Sequence, residues 1–325
     1  MYNDLIMAKT DKNWQARIGR RLRLRDLHVL LAVAQSRSMA KAARELSISQ
    51  PAVSQAIADL EHTLGVRLLD RSPRGIEPTD YGRALLRRSL AVFDELGQAV
   101  QDIEFLADPT QGELRLGCPE SIVAAFVPVV VERFARQNPR VILKIEQIHD
   151  VSPHFRELRD RRVDLVLART PRSFVADDLR VEILVDERFY IVAGAASRWT
   201  RRRNLTLENL INEPWVLPPP ETLAGSVTGQ AFEANGLAAP REGVFTLSTH
   251  LRCSLIGSGH FVGMLPASVL RFNARRFLLK ALPVEFRMDL NPIAVVTLTN
   301  RTLSPLVQRF IDSTRAAVQS MMKDR

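Results

Sequence analysis

Two periodicities divide the chain. Up to about residue 106, apolar positions recur every three or four residues, as on amphipathic helices; beyond residue 113, short apolar runs alternate with helical stretches. Leu27, Leu30, Leu31 and Ala34 predict a helix over 24–34. Ser38 is placed to cap a short second helix at 39–46, whose Ala42 and Ala43 allow close helix crossing. After the turn Ser47-Ile48-Ser49, a third helix starts at Gln50-Pro51. Ser49 is its expected N-cap, and the proline falls in the first turn, where its missing N–H costs nothing. Val53, Ile57, Leu60 and Leu64 form the inward stripe of this helix, and Gly65 ends it. The segment RLLDRSPRGIEPT then reads as two short extended pieces around a Ser-Pro-Arg-Gly turn, a hairpin or wing. Thr79 is expected to cap a long helix reaching about Leu106. Along it Leu86, Leu90, Phe93, Val100 and Ile103 keep a coiled-coil-like spacing that Gly97 interrupts. Such a stripe fits a core helix of the first domain, or a bridging helix that pairs with its twin from a second subunit.

Residues 107–113 read as a linker. Beyond them, strands are predicted at 114–117, 141–147, 164–168, 189–193, 261–265 and 293–298, with helices at 122–136, 221–234 and 304–321. This alternation predicts an α/β domain with a largely parallel sheet. No internal repeat or low-complexity segment is evident, and the first twenty or so residues carry little periodicity.

Charge sharpens the picture. The chain of 325 residues has a formal net charge of +9. Between Arg17 and Arg88 stand 14 Lys and Arg against 7 Asp and Glu. Any one of these arginines alone reads as solvated surface; clusters bracketing one helical unit point to phosphate contact. The outward face of the third helix shows Gln50, Pro51, Ala52, Ser54, Gln55 and Asp59 behind the cap Ser49. Small and amide side chains near a helix N-terminus suit major-groove reading, since Gln bridges adenine and Ala or Pro meets a thymine methyl. No apolar run approaches the roughly 20 residues of a membrane span, and the N-terminus lacks the order of a signal peptide. Two cysteines, Cys118 and Cys253, lie far apart without metal-ligand spacing, which suits a reducing compartment. A cytoplasmic protein is therefore expected.

Other chemistry is sparse. The six histidines include no HxxxH or His-Cys cluster, Gly257-Ser258-Gly259 lacks the rest of a dinucleotide fingerprint, and no GxSxG occurs. Neither a metal, a cofactor nor a catalytic set is expected, and Cys118 reads as a buried spectator thiol.

The segment SMAKAARELSISQPAVSQAIADLEHTLGVRLLDRSPRGIEPTDYG resembles the DNA-binding domain of LysR-type transcriptional regulators, and the resemblance runs on to the late GSGHFVGMLP stretch. It implies an α/β chain with an N-terminal all-α winged helix-turn-helix and a two-lobed sensing domain like periplasmic binding proteins. The implied divisions are an extension at 1–23, the winged helix-turn-helix at 24–79, a dimerising linker helix at 80–107 and an effector-binding domain of two α/β lobes at 108–325. Gln50, Pro51, Ser54 and Gln55 would face DNA, with Arg71 and Arg74 near the wing. Leu69 departs from the phenylalanine that many members carry, but keeps an apolar wing anchor. The implied partners are double-stranded promoter DNA, a small-molecule effector, RNA polymerase, and further copies of the chain in a tetramer built as a dimer of dimers.

In such a sensing domain ligand groups collect at C-terminal strand ends and helix N-termini. That selects Glu120 and Ser121 after the first strand, His149 after the second, Arg169 and Thr170 after the third, and Thr222 and Thr249 from the second lobe. Each hydroxyl serves equally well as a local helix cap. Glu120 favours a polyol or cation, whereas Arg169 favours an anion. An exported solute-binding protein, an enzyme on the α/β domain and a ligand-independent DNA-binding protein are the competing readings. The first two are disfavoured by the basic helix-turn-helix without an export signal and by the lack of a convergent catalytic set.

Overall fold

A computed structural model describes residues 21–72, 75–148, 155–289 and 291–323. The side chains of residues 71, 72, 322 and 323 also fall outside the description. Most of the expected N-terminal extension, residues 1–20, lies outside the described residues. The chain divides into two compact units, Met1–Gly97 and Gln98–Arg325.

The first unit holds α1 (Leu24–Ser36), α2 (Met39–Glu45), α3 (Gln50–Leu64), β1 (Leu69–Ser72), β2 (Gly75–Pro78) and the start of α4 (Asp80–Ala107). Its helix ends follow the local chemistry. Ser38 accepts a hydrogen bond from the Lys41 amide and Ser49 from the Ala52 amide, while Gly65 closes α3 with φ of 71°. Leu30, Val33, Ala42, Val53, Leu60 and Leu68 pack into one core. Full burial of a leucine such as Leu30 or Leu60 contributes about 1.5–3 kcal/mol. The wing is tied back at two points. Glu61 Oε1 accepts the amides of Leu68 (2.7 Å) and Leu69 (3.2 Å). The Ile76 amide donates to the Arg37 carbonyl at 3.1 Å. Thr79 caps α4 by accepting from the Gly82 amide at 3.0 Å. Gly82 is obligatory for close approach, since a Cβ there would lie 2.0 Å from the Leu68 carbonyl oxygen.

The second unit is two lobes. The first lobe contains β3 (Gln111–Cys118), α5 (Glu120–Val123), α6 (Val127–Gln137), β4 (Arg140–Gln147), α7 (Arg156–Arg159), β5 (Leu165–Arg169) and β6 (Leu179–Val185). The chain crosses to the second lobe to form β7 (Phe189–Gly194), β8 (Trp215–Leu217), α8 (Leu223–Glu233), β9 (Gly243–Phe245), α9 (Thr249–Gly257), β10 (Val262–Pro266), α10 (Ala267–Phe277) and β11 (Leu279–Ala281). It then returns to the first lobe as β12 (Ile293–Leu298) and α11 (Pro305–Lys323). Sheet orders are β4-β3-β5-β12-β6 and β11-β7-β10-β8-β9.

Both sheets are mixed, which corrects the expectation of a largely parallel sheet. β3 runs parallel to β4 and β5, whereas β12 is antiparallel to β5 and β6. The reason is topological: β12 arrives from the second lobe at the end where β5 finishes, pairing Ile293 with Arg169, and must run back along it. The helix expected over 122–136 is two helices, because Pro128 is tolerated only in a first turn and so starts α6 afresh. β3 begins at Gln111, so part of the expected linker is strand.

Phe134 and Phe310 meet edge to face at 5.1 Å in the first lobe's core, and Trp215 and Phe232 do so at 5.2 Å in the second. Buried Asp164 binds the guanidinium groups of Arg115 and Arg301, each at 2.8 Å. Among the described residues no helix is long and apolar enough to cross a membrane, and no cluster could hold a metal ion.

Candidate functional site

Two surfaces carry chemistry. On the first unit, Val53, Ile57 and Leu60 anchor α3 in the core and turn its opposite face outward. Gln50, Pro51 and Gln55 are exposed, Ala52 and Ser54 half-buried, and Ser49 holds the helix start. The Gln55 amide donates to Asp59 Oδ1 at 2.8 Å, a tie one turn along that fixes where the amide points. Arg71 stands opposite Ile76 in the wing ladder, but its side chain, like the whole of Arg74, lies outside the described residues. Arg37, Lys41, Arg44 and Arg67 are exposed on the same unit. Sequence reasoning had not singled them out individually, although Lys41 and Arg44 lie within the helix-turn-helix and Arg37 and Arg67 flank it.

The second surface is a cavity of about 80 Å³ between the lobes of the second unit. Glu120, Ser121 and Arg169 line it from the first lobe, Leu223, Val227 and Arg252 from the second. Each position follows from the fold. Glu120 and Ser121 begin the short α5 directly after β3, Arg169 ends β5, and Arg252 sits one turn into α9.

Arg169 is fully engaged. Its Nε donates to Glu187 Oε2 at 2.6 Å, Nη1 to Ser121 Oγ at 2.9 Å and Nη2 to Ser268 Oγ at 3.2 Å. Glu187 lies in the crossing between β6 and β7, and its other oxygen accepts the Ser268 amide at 2.7 Å, at the start of α10. One ion pair thus joins both lobes and a crossing strand.

Glu120 also bridges the lobes. Its carboxylate accepts the Thr249 amide, the His250 amide at 3.3 Å and the Ser248 hydroxyl at 3.5 Å. These are the free donors at the start of α9, where a negative charge is favoured. Thr249 Oγ1 and Thr170 Oγ1 are buried without a hydrogen-bond partner among the described residues. Thr222 is spent locally: its hydroxyl caps α8 by accepting from Gly225 and donates to the Pro219 carbonyl. His149 lies outside the described residues.

Sequence reasoning missed Glu187 and Arg252. Arg252 is 5% exposed, and its Nη2 donates to the Met264 carbonyl. Burial lowers its pKa to about 10, against the opposing pull of Cys253 and Glu120. Its only sequence signal is an arginine between two apolar residues of a helix. Burial also pushes the Cys118 thiol up to about 12 and the Cys253 thiol up to about 11, so neither is a nucleophile near neutrality.

Comparison with known proteins matches residues 24–83 to the bacterial regulatory helix-turn-helix protein model of the lysR family, and residues 107–319 to the LysR substrate binding domain. The HTH-type transcriptional regulator GbpR of Azospirillum brasilense is 26% identical over 93% of this chain and 89% of its own length. Full-length OxyR from Pseudomonas aeruginosa superposes with a TM-score of 0.64 at 21% identity, covering 92% of this chain and 95% of its own. Full-length CbnR in complex with its target DNA gives 0.63 at 21% identity, covering 91% of this chain and 100% of its own.

Proposed function

The chain belongs to the LysR family of bacterial helix-turn-helix regulators, and we propose that it reads promoter DNA with α3 under the control of a small molecule held between its two lobes. It is a sequence-specific DNA-binding transcriptional regulator and not an enzyme. One observation carries the assignment of the DNA surface: a buried apolar stripe leaves Gln50, Pro51, Ala52, Ser54 and Gln55 facing outward at a capped helix N-terminus. In this reading Gln50 and Gln55 hydrogen-bond base edges, Ser54 adapts, and Pro51 and Ala52 meet thymine methyls. Ser49 holds the helix start against the backbone, while Arg71 and Arg74 at the wing take phosphates.

The exposed apolar residues Val92, Leu96, Val100, Ile103 and Leu106 follow one another every three or four positions along α4. They support pairing of this helix with that of a second subunit. They share Val100 and Ile103 with the stripe expected from sequence, whose Leu86 and Phe93 instead pack against the first unit's core. Two such dimers make the tetramer, which presents recognition helices to two half-sites. CbnR is seen on its target DNA; in this reading the protein acts on promoter DNA in the cytoplasm, with RNA polymerase as a proposed partner.

In this reading Glu120, Ser121 and Arg169, which line the cavity, meet the effector, with Thr170, Thr222, Thr249 and His149 proposed as further contacts. An effector shifts the DNA-bound arrangement only through different affinity for the two lobe arrangements. The test is a binding titration of the full-length protein on the DNA upstream of its own gene and on random DNA, across salt concentrations. Preference for the upstream DNA that survives added salt is expected. Equal, salt-labile binding to both would overturn the reading.

A further inference from the structure

The cavity between the lobes holds a buried guanidinium that no carboxylate reaches by a hydrogen bond among the described residues. Two guanidinium groups line it, and that of Arg169 is already met by Glu187, Ser121 and Ser268. Among the described residues the Arg252 guanidinium has no such partner: the residue is 5% exposed, Nη2 donates to the Met264 carbonyl, and Nε is buried without an acceptor. A buried cation without a hydrogen-bonded counter-anion is costly, and an orphaned N–H on it adds to the cost. Thr249 stands one turn before Arg252 on α9, with its own hydroxyl buried and unpartnered.

The donors at the start of α9 are already occupied by the chain itself. Glu120 reaches from the opposite lobe to accept the amides of Thr249 and His250. Its charge lies near enough to Arg252 for the two to interact. Unlike Arg252, Glu120 is only partly buried, so it has a route into water. The rest of the cavity wall is largely apolar, with Ile148, Phe189, Leu223, Val227 and Leu247.

Resting on the reading of this cavity as the effector site, we propose that its ligand is a small monocarboxylic acid with an apolar body, whose carboxylate pairs with Arg252 and Thr249 and displaces Glu120 from the start of α9. Glu120 is then a bolt across the cleft. An incoming carboxylate competes for the same donors and repels the Glu120 charge, which frees one lobe from the other. About 80 Å³ accommodates on the order of five to eight water-sized groups, so the acid is short-chained or carries a single ring.

The experiment is calorimetric titration of the full-length protein with butanoate, pentanoate and benzoate, and with the corresponding amides as uncharged controls. At least one acid should bind ten-fold or more tightly than its amide, and E120Q should bind that acid at least three-fold more tightly than wild type. R252Q should lose the preference for acid over amide; if that variant does not fold, the wild-type acid–amide comparison and E120Q decide. Absence of binding by all three acids, equal binding of acid and amide, or an unchanged acid affinity in E120Q would each overturn the proposal. The promoter titration is run on the same preparation. Retained promoter preference with any of these failures removes only the acid and bolt, whereas loss of promoter preference removes the regulator reading beneath it.

Discussion

Replacing Glu187 tests whether the crossing between the lobes is held by its ion pair with Arg169. Glu187 is 3% exposed and the Arg169 side chain 12%. At 2.6 Å their gross attraction is about 6 kcal/mol for an effective dielectric of about 20. Most of that attraction offsets the removal of two charges from water, so the pair adds little over an apolar substitute. Removing one partner is different, because Arg169 would remain buried without a counter-charge and the Ser268 amide would lose its acceptor. Glu187→Ala should therefore cost about 3–5 kcal/mol. Glu187→Gln keeps an oxygen for the Ser268 amide and should cost about 1.5–3 kcal/mol, the worth of hydrogen bonds to a charged group. Urea unfolding followed by the fluorescence of Trp215, buried in the second lobe's core, reads both. With a slope of about 3 kcal/mol/M, the alanine midpoint should fall by about 1–1.7 M and the glutamine midpoint by about half as much. A fall below about 0.2 M for alanine, or equal falls for the two variants, would refute the assignment of the lobe junction to this charge pair.

Gly82→Ala should unfold the DNA-binding unit, since the added Cβ would meet the Leu68 carbonyl oxygen at 2.0 Å and neither backbone can retreat; loss of promoter binding with the second unit's unfolding transition intact is the expected signature. Gln55→Ala should reduce discrimination between promoter and random DNA by about 1–3 kcal/mol. Arg74→Ala should instead weaken both and lower the salt slope by about one, read by the same titrations. Ser49→Ala should lower stability of the first unit by about 1 kcal/mol, measured by denaturation, because the Ala52 amide loses its cap. The raised thiols make stability fall as pH climbs. Above about pH 9 the unfolded chain sheds protons that folded Cys118 keeps to about 12 and Cys253 to about 11, so unfolding midpoints should drop across that window and drop less in Cys118→Ser.

The DNA-binding unit was legible because its determinants are local. Ser38, Ser49, Pro51, Gly65 and Thr79 act on backbone groups within three or four residues, and the stripe through Val53, Ile57 and Leu60 has a helical period that sequence displays directly. The tie from Glu61 to the wing was invisible because it spans a turn whose geometry no residue pattern encodes. In the sensing unit the strand order and the antiparallel course of β12 were lost for the same reason: partners such as Ile293 and Arg169 lie more than a hundred residues apart. Short strands such as β8, β9 and β11 have only three residues, too few to show alternation. Glu120 and Arg169 were picked out by their places at strand ends, but their opposite situations were not. One bridges to α9 and the other is paired with Glu187, and those partners lie 129 and 18 residues away. Arg252 carried almost no signal, since a helical arginine normally faces water and only the packed lobes bury this one.

The return of the chain from the second lobe to the first has a consequence for synthesis. The first lobe's sheet lacks β12, and its core lacks Phe310, until almost the whole polypeptide has emerged. At about 5–20 residues per second, the interval between residue 98 and residue 292 lasts on the order of ten to forty seconds. During that time the first unit already holds every side chain of its own core. The second lobe's core closes soon after β11, with Leu282 to Met288, so it is the earlier-started lobe that waits longest. A chain cut short before Ile293 would therefore carry a DNA reader coupled to a half-built sensor, with the apolar underside of β3 and β5 open to water. A stall or stop codon late in the gene is therefore expected to leave a complete DNA-binding core attached to an exposed apolar sheet face, the combination that favours aggregation.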